Sequence, residues 1–445
     1  MKVHLIAIGG SVMHNLGLAL KSNGHLVTGS DDEIYDPARS RLNAAGLLPN
    51  QIGWNKDWIH EDLDAVIVGK HARANNPELQ KAQELGLKIY SFPSFVAEMS
   101  KKKKRIVIAG SHGKTSTTSM VMHVARKCGV EFDYLVGAQL DGFDNMVQLS
   151  DAPYIIIEGD EYLTSPLDDR PKFLHYKAHA AVITGIAWDH MNVFPTFDFY
   201  VKQFHDFVES TDRDAVVYYY QNDVELAKLA KQFAPSKMQS YTGFAYKNQE
   251  VGTQITLGGQ QAIVPIFGAH NMQNLEAAYL LCQTMGINQK SFLSAIEDFK
   301  GPSRRMERLK EAKDSTVFID FAHAPSKVKA TLNAVLDRYK DKSVIACLEL
   351  HTYSSLNKAF LPQYFETLKG AEEALVLYDP HALKMKKMDS LNKEDVAEAF
   401  GGMVKVFNDP SQLKSQLVTM EKKDRVFLMM SSGPWGGINL KEVFA

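Results

Sequence analysis

IAGSHGKTS, residues 108–116, carries glycines, a lysine and two hydroxyl residues in the order of a phosphate-binding loop. The usual loop reads G-x-x-x-x-G-K-[ST]. Its first glycine would fall at Ile108, so this stretch is one glycine short. The context still suits a phosphate loop. An apolar run, RIVIAG, feeds a tight glycine turn, and a helix-like stretch, TSTTSMVMHVARKCG, follows it. Backbone N–H groups at a helix start lack partners, and the helix dipole favours an anion there. Gly110, His112, Gly113 and Ser116 would form the cradle. Lys114 would reach the terminal phosphates as a point charge, and Thr115 would offer its hydroxyl to Mg²⁺. Glu158 fits as a second ligand, because Mg²⁺ takes oxygen donors and bridges phosphates. The plainer alternative is a glycine-containing connection with a surface lysine.

Outward from this loop, short apolar runs alternate with helical patterns, which predicts βαβ units and parallel sheets. VHLIAIGG, HLVTGSD and DAVIVG read as strands before the loop, and STVFID as one after it. The switch from KKKK to RIVIAG marks a boundary near Lys101, and Gly301-Pro302 marks another. The expected domains are 1–100, 101–302 and 303–445. The tetralysine reads as a solvated linker rather than a nucleic-acid patch. Acidic residues and histidines follow several apolar runs: Glu158, Asp160 and Glu161; Asp189 and His190; Asp320 and His323; Glu349 and His351. Ligands of open α/β sheets bind beyond the carboxyl ends of strands. Singly, each acid could be a helix cap; together they read as walls of a polar cleft.

The remaining composition excludes several classes. A net charge of −2 gives no bulk attraction to nucleic acid or anionic membrane. No apolar run approaches the ~18 residues of a membrane span, and MKVHLIAIGG lacks the shape of a signal peptide. Cys128, Cys282 and Cys347 are widely spaced, which suits reduced thiols. These features predict a cytoplasmic protein with no nucleic-acid partner and no membrane insertion; they do not fix the oligomeric state, for which a monomer or weak homodimer is the expectation. His175 and His179 have i, i+4 spacing but no intervening acid of the H-E-x-x-H type, so zinc is not expected. Tyr218–Tyr220 reads as strand rather than stacking platform.

GSHGKTS resembles the shortened phosphate loop, G-T-H/N-G-K-T, of the Mur ligase family, the ATP-dependent amide ligases of bacterial peptidoglycan synthesis. The resemblance covers nearly the whole chain. EGDEY is similar to the family's magnesium-binding acidic motif, WDHMNVFP to its D-H segment, and GAHNMQN to its adenine motif. PSRRMERL is similar to its R-R-F segment, and DFAHAP to its D-x-x-H-H-P motif. The implied fold is α/β in three domains: a Rossmann-like N-terminal domain for a UDP-sugar, a central P-loop ATPase domain with a mostly parallel sheet, and a C-terminal Rossmann-like domain. The implied cofactors are ATP and Mg²⁺. The implied chemistry is phosphorylation of the lactyl carboxylate of UDP-N-acetylmuramate, then attack by a peptide amine. Residues 160–176 are most similar to the branch that adds the murein tripeptide L-alanyl-γ-D-glutamyl-meso-diaminopimelate. The branch that adds L-alanine is the first alternative.

By the same resemblance, Thr115 and Glu158 hold one Mg²⁺ and His190 helps hold a second. Lys114 and Arg305 neutralise phosphate charge. Asn271 and Asn274 face adenine, and Asp320 the ribose. His323 and His351 lie near the junction of nucleotide and substrate. Gly9, Gly10 and Ser11, with Asp31 beyond them, would cradle the UDP at a helix start; His71, Arg73 and Asn76, after DAVIVG, either line the same site or form an ordinary polar loop. The chain departs from the family at Ile319, Ala324, Thr352 and Leu163. The alanine-adding branch has arginine where Thr352 stands, and His205 stands near the place of a carbamylated lysine in several relatives. Two readings of other classes remain. One is an inactive homologue that senses UDP-muramic acid. The other is an NAD-dependent oxidoreductase, although IGGS breaks the dinucleotide fingerprint.

Overall fold

The computed structural model describes residues 1–165, 167–312 and 315–444. They divide into two compact units. The first holds Met1–Ile186, Val201–Tyr241 and Ala277–Phe292; the second holds Ala187–Tyr200, Thr242–Glu276 and Leu293 to the C-terminus.

The first unit contains two sheets built on parallel strands. One comprises β1 (Lys2–Ile6), β2 (Leu26–Ser30), β3 (Ala65–Val68) and β4 (Ile89–Ser91), in the order β2-β1-β3-β4 and parallel throughout. The chain leaves β1 towards both sides, which makes its carboxyl end a topological switch point. The Gly9-Gly10 turn sits there, followed by the helix Ser11–Ser22.

The larger sheet is built from β5 (Lys104–Ala109), β6 (Phe132–Leu135), β7 (Val147–Gln148) and β8 (Tyr154–Glu158). Two paired strands, β9 (Leu163–Ser165) and β10 (Asp168–Pro171), stand apart from it. The sheet is completed by β11 (Ala180–Ile183), β12 (Val216–Tyr220) and β13 (Met238–Tyr241). Its order is β13-β12-β11-β5-β8-β6-β7, parallel except for β6–β7. Here β5 is the switch strand, and it feeds the Gly110–Gly113 loop. The interior residues of β5, β8 and β11 are almost wholly buried, as a sheet covered on both faces requires. Tyr218–Tyr220 lies in β12, as expected.

The second unit holds a small antiparallel sheet of β14 (Tyr246–Asn248), β15 (Thr253–Leu257) and β16 (Gln260–Val264). Its main sheet comprises β17 (Glu307–Ala312), β18 (Ser315–Asp320), β19 (Ser343–Leu350), β20 (Glu373–Tyr378), β21 (Lys405–Phe407) and β22 (Arg425–Met430). The order is β17-β18-β22-β19-β20-β21, parallel but for β17–β18. One apolar cluster, including Phe318, Leu348 and Leu428, fills one face, and a second, including Leu375, Phe427 and Trp435, fills the other. The α/β class is thus the observed one.

One sequence expectation needs correction. The tetralysine is not wholly solvated. Lys103 is buried, 2.8 Å from the buried Asp133 carboxylate, and donates to the carbonyls of Ser150 and Ala152 at 2.6 and 2.9 Å. A buried ammonium needs such partners. His175 and His179 do not share a helical face, because the short 3-10 helix Lys172–His175 ends at the first of them. His175 faces Thr164 and Asp168, whereas His179 accepts from the backbone of Arg105. Among the described residues no helix is long and apolar enough to cross a membrane.

Candidate nucleotide and substrate sites

The loop after β5 is held in a conformation that only glycine tolerates at two points. Gly110 has φ +126°, and a Cβ there would collide with Thr184. Gly113 has φ 78° and caps the helix Lys114–Lys127, which begins one residue before the expected Thr115. The loop is laced to the end of β11. Ser111 N donates to Gly185 O at 2.9 Å, and the Thr184 hydroxyl donates to the carbonyls of Ala109 and His112. A fixed turn opening a fourteen-residue helix is what a phosphate group needs.

Thr115 Oγ1 donates to Glu158 Oε1 at 2.8 Å, and Gly137 N donates to Glu158 Oε2 at 2.9 Å. A hydroxyl and a carboxylate are thus adjacent at the helix start, a donor set that fits Mg²⁺. Lys114 Nζ lies 2.5 Å from both Gly110 O and Glu161 Oε2. Burial works to lower the lysine pKa, but Glu161, Asp160 and Glu158 outweigh it and the net direction is upward. Asp160 is held well below the usual carboxylate range. Burial opposes this, but the ammonium groups of Lys172, at 2.6 Å, and of Lys114 dominate. The sequence reading singled out Glu158 and passed over Glu161 as a partner. The signal was present in DEY: once Glu158 ends the strand, an acid three residues on can turn back to the loop.

Near the switch point of the N-terminal sheet lies a cavity of about 1050 Å³. All seven residues expected there line it: Gly9, Gly10, Ser11, Asp31, His71, Arg73 and Asn76. Lys70, Trp54 and Tyr35 line it too and were missed. Asn76 has a structural task, since its side chain caps the helix Pro77–Glu84. Asp31 accepts from Gly9 N at 2.7 Å and so fixes the glycine turn. Burial and the neighbouring Asp32 push its pKa up to about 6. The folded state therefore holds this proton more tightly than the unfolded chain. The Asp31 contribution to stability is fully present below about pH 4 and is lost as pH rises through about 6. Asp31→Asn keeps an acceptor for Gly9 and removes the charge. The difference between variant and wild-type unfolding free energies should therefore grow in the variant's favour from pH 4 to 7. A flat difference would show that Asp31 ionises as freely in the fold as outside it.

The second unit carries the other expected residues. Asp189 is buried, accepts from His190 N at 2.8 Å, and lies 3.7 Å from Lys327 Nζ. Burial would raise its pKa, but Lys327, His190 and His323 hold it low. His323 Nδ1 pairs with Phe321 O at 2.8 Å. Burial, with Lys327 beside it, pushes the imidazole down to about 3. His323 is therefore neutral at pH 7, with its proton on Nδ1 and Nε2 as an acceptor. So low a pKa suits a hydrogen-bond acceptor and makes a weak general base.

Arg305 and Arg304 both stack on Phe321, at 4.8 and 5.4 Å from the ring centre. Arg304 is occupied by the carbonyls of Ser431 and Gly433, at 3.0 and 3.1 Å. Asp320 is buried and accepts from Met306 N at 2.8 Å and Ala322 N at 2.7 Å, so it organises its own turn. Asn271 donates to Phe267 O at 2.8 Å, and Asn274 is buried one helical turn on. His351 sits against Gly433, where a Cβ would strike both its ring and Glu349. Thr115 and Glu158 belong to the first unit and His190 to the second, each with the local partners given above. His205 lies beside Asp206 and Glu209, with Lys202 already paired to Asp206 at 2.5 Å.

Sequence comparison matches three families in register with these elements. They are the catalytic domain of the Mur ligase family at residues 2–104, the Mur ligase middle domain at 108–282, and the Mur ligase glutamate ligase domain at 304–433. The UDP-N-acetylmuramate–L-alanyl-γ-D-glutamyl-meso-2,6-diaminoheptandioate ligase of Haemophilus influenzae is 27% identical over 99% of this chain and 98% of its own. The UDP-N-acetylmuramate–L-alanine ligase of Caldicellulosiruptor saccharolyticus is 30% identical over 89% of this chain and 88% of its own. The fold matches the crystal structure of a murein peptide ligase from Psychrobacter arcticus. The TM-score is 0.66 at 22% identity, over 100% of this chain and 98% of that one. The phosphate loop, the acidic residues beyond β8 and the three matched domains together have one reading. The chain belongs to the Mur ligase family, whose members are ATP-dependent amide ligases that form C–N bonds.

Proposed function

We propose that this ligase joins L-alanyl-γ-D-glutamyl-meso-diaminopimelate to the lactyl carboxylate of UDP-N-acetylmuramate. The observation that carries this choice of amine is Thr352. In the alanine-adding branch that place holds an arginine, a cation suited to an amino-acid carboxylate. Here the hydroxyl is spent locally: Thr352 Oγ1 accepts from Ser355 N at 3.1 Å, and the two hydroxyls are 3.0 Å apart. A neutral, internally bonded residue gives the carboxylate of free alanine no charge to meet.

The roles of the chain's own groups follow from their chemistry. The helix start at Lys114 and the Gly110–Gly113 turn would seat the terminal phosphates of ATP. Thr115 and Glu158 would hold Mg²⁺, which supplies charge neutralisation during phosphoryl transfer. Glu161 keeps Lys114 charged and aimed until nucleotide phosphates compete for it. Arg305 would neutralise further charge, and His323 would accept a hydrogen bond. The cavity beside Gly9–Ser11 would take the UDP-sugar.

The test is phosphate release from ATP, Mg²⁺ and UDP-N-acetylmuramate with the tripeptide, with L-alanine, or with no amine. Release stimulated by the tripeptide at least about tenfold over L-alanine is expected; one misplaced or missing charge contact is worth that much. The reverse order would assign the chain to the alanine-adding reaction. Binding of the UDP-sugar without release for any amine would point to a sensor.

A further inference from the structure

Lys70 belongs to the wall of the N-terminal cavity but reaches beyond it. Its Nζ lies 4.0 Å from the centre of the Tyr162 ring. Tyr162 follows Glu161, the acid that holds Lys114, and its backbone N–H donates to Asp160 at 3.1 Å. Lys172 stands at 5.8 Å from the same ring, anchored on Asp160. One aromatic ring thus carries two ammonium groups between the cavity and the acids of the phosphate loop. Of the two, Lys172 is committed to a carboxylate. Lys70 is exposed, and its ammonium rests on the ring face. The ring orders the lysine without neutralising it.

The cavity also carries groups of both signs. Asp31, Asp32, Glu33 and Asp36 line it, and so do Lys70, His71 and Arg73, from the segments after β2 and β3 respectively. A UDP-muramic acid brings two separate anionic groups. Its diphosphate suits the Gly9–Ser11 turn and the twelve-residue helix beyond. Its lactyl carboxylate needs a different cation, on the side from which it can meet ATP.

We infer that Lys70, set on the Tyr162 ring, binds the lactyl carboxylate and is the residue that distinguishes UDP-N-acetylmuramate from UDP-sugars lacking it. This rests on the reading of the cavity as the UDP-sugar site. The pair Lys70–Tyr162 also links that site to Lys114 through Glu161, so the carboxylate would be held beside the loop that carries the transferable phosphate.

The test is calorimetric binding of UDP-N-acetylmuramate and UDP-N-acetylglucosamine to wild type, Lys70→Met, Lys70→Arg and Tyr162→Phe. Wild type should favour the muramate by about tenfold or more, the scale of one charge-assisted hydrogen bond. Lys70→Met should lose most of that ratio while its affinity for UDP-N-acetylglucosamine stays within about twofold, an exposed lysine being dispensable for folding. Lys70→Arg should retain much of the ratio, and Tyr162→Phe nearly all, since the ring face remains. An unchanged ratio in Lys70→Met, or no preference in wild type while both sugars bind, overturns the inference and leaves the UDP-sugar site standing. Failure of wild type to bind either sugar overturns the reading of the cavity, and the inference with it.

Discussion

Lys114→Ala is expected to abolish phosphate release, with kcat/KM falling at least about a thousandfold, and also to weaken the fold. The first effect follows from removing the principal cation of the phosphate loop, where one lost charge contact costs several orders of magnitude. The second follows from Glu161, which is 1% exposed and would lose its ammonium partner at 2.5 Å. Breaking a buried pair from one side costs about 3 kcal/mol or more. The two effects separate in the double variant Lys114→Met, Glu161→Gln, which should recover most of the stability and none of the turnover. UDP-sugar binding should survive in both. Urea unfolding and a phosphate-release assay give the comparison. Turnover within tenfold of wild type in Lys114→Ala would remove this lysine from the phosphate site.

Glu349→Ala should be the most damaging single change away from the phosphate loop. Its carboxylate is almost wholly buried at the end of β19. It accepts from the Ser431 hydroxyl, from Trp435 N at 2.9 Å and from Gly436 N at 3.1 Å. The sequence suggested a wall of the cleft, whereas the contacts give it a loop to hold. Removing it leaves two backbone donors and a hydroxyl without partners, each worth about 1–3 kcal/mol. A loss of about 3–5 kcal/mol, lowering Tm by roughly 10 °C, is expected for the unit that contains it. Because His351 packs on Gly433 within the same loop, activity should fall even below the new Tm. A Tm within 2–3 °C of wild type, about the shift that one kcal/mol produces, would mean that water or the backbone replaces the carboxylate.

What the sequence disclosed depended on how local the physics was. Strand–turn–helix punctuation around Gly9-Gly10 and around Gly110–Lys114 is written in consecutive residues, so both switch-point loops were legible. The residues expected at the N-terminal cavity converge for the same reason, as they follow three neighbouring parallel strands, β1, β2 and β3. Partner choice was not legible. Nothing in KKKK marks Lys103 as the buried member, because its partner Asp133 lies thirty residues on. Glu161 and Lys70 were passed over because their roles exist only once Lys114 and Tyr162 stand opposite them. The β15–β16 hairpin was legible and missed. Gly258-Gly259, both at positive φ between TQITL and QQAIV, is a two-residue hairpin signal.

The interleaving of the two units bears on how the chain is made. The first unit needs Ala277–Phe292 to be complete, and the second already owns Ala187–Tyr200 and Thr242–Glu276. On the ribosome, domains usually form in order as their residues emerge. Here the N-terminal sheet can assemble early, but the first unit cannot close until Phe292 of 445 residues has been synthesised. Until then the chain holds segments of both units unfinished. A nascent chain stalled before residue 277 should be protease-sensitive across the ATP-loop sheet, and one released after residue 292 should not.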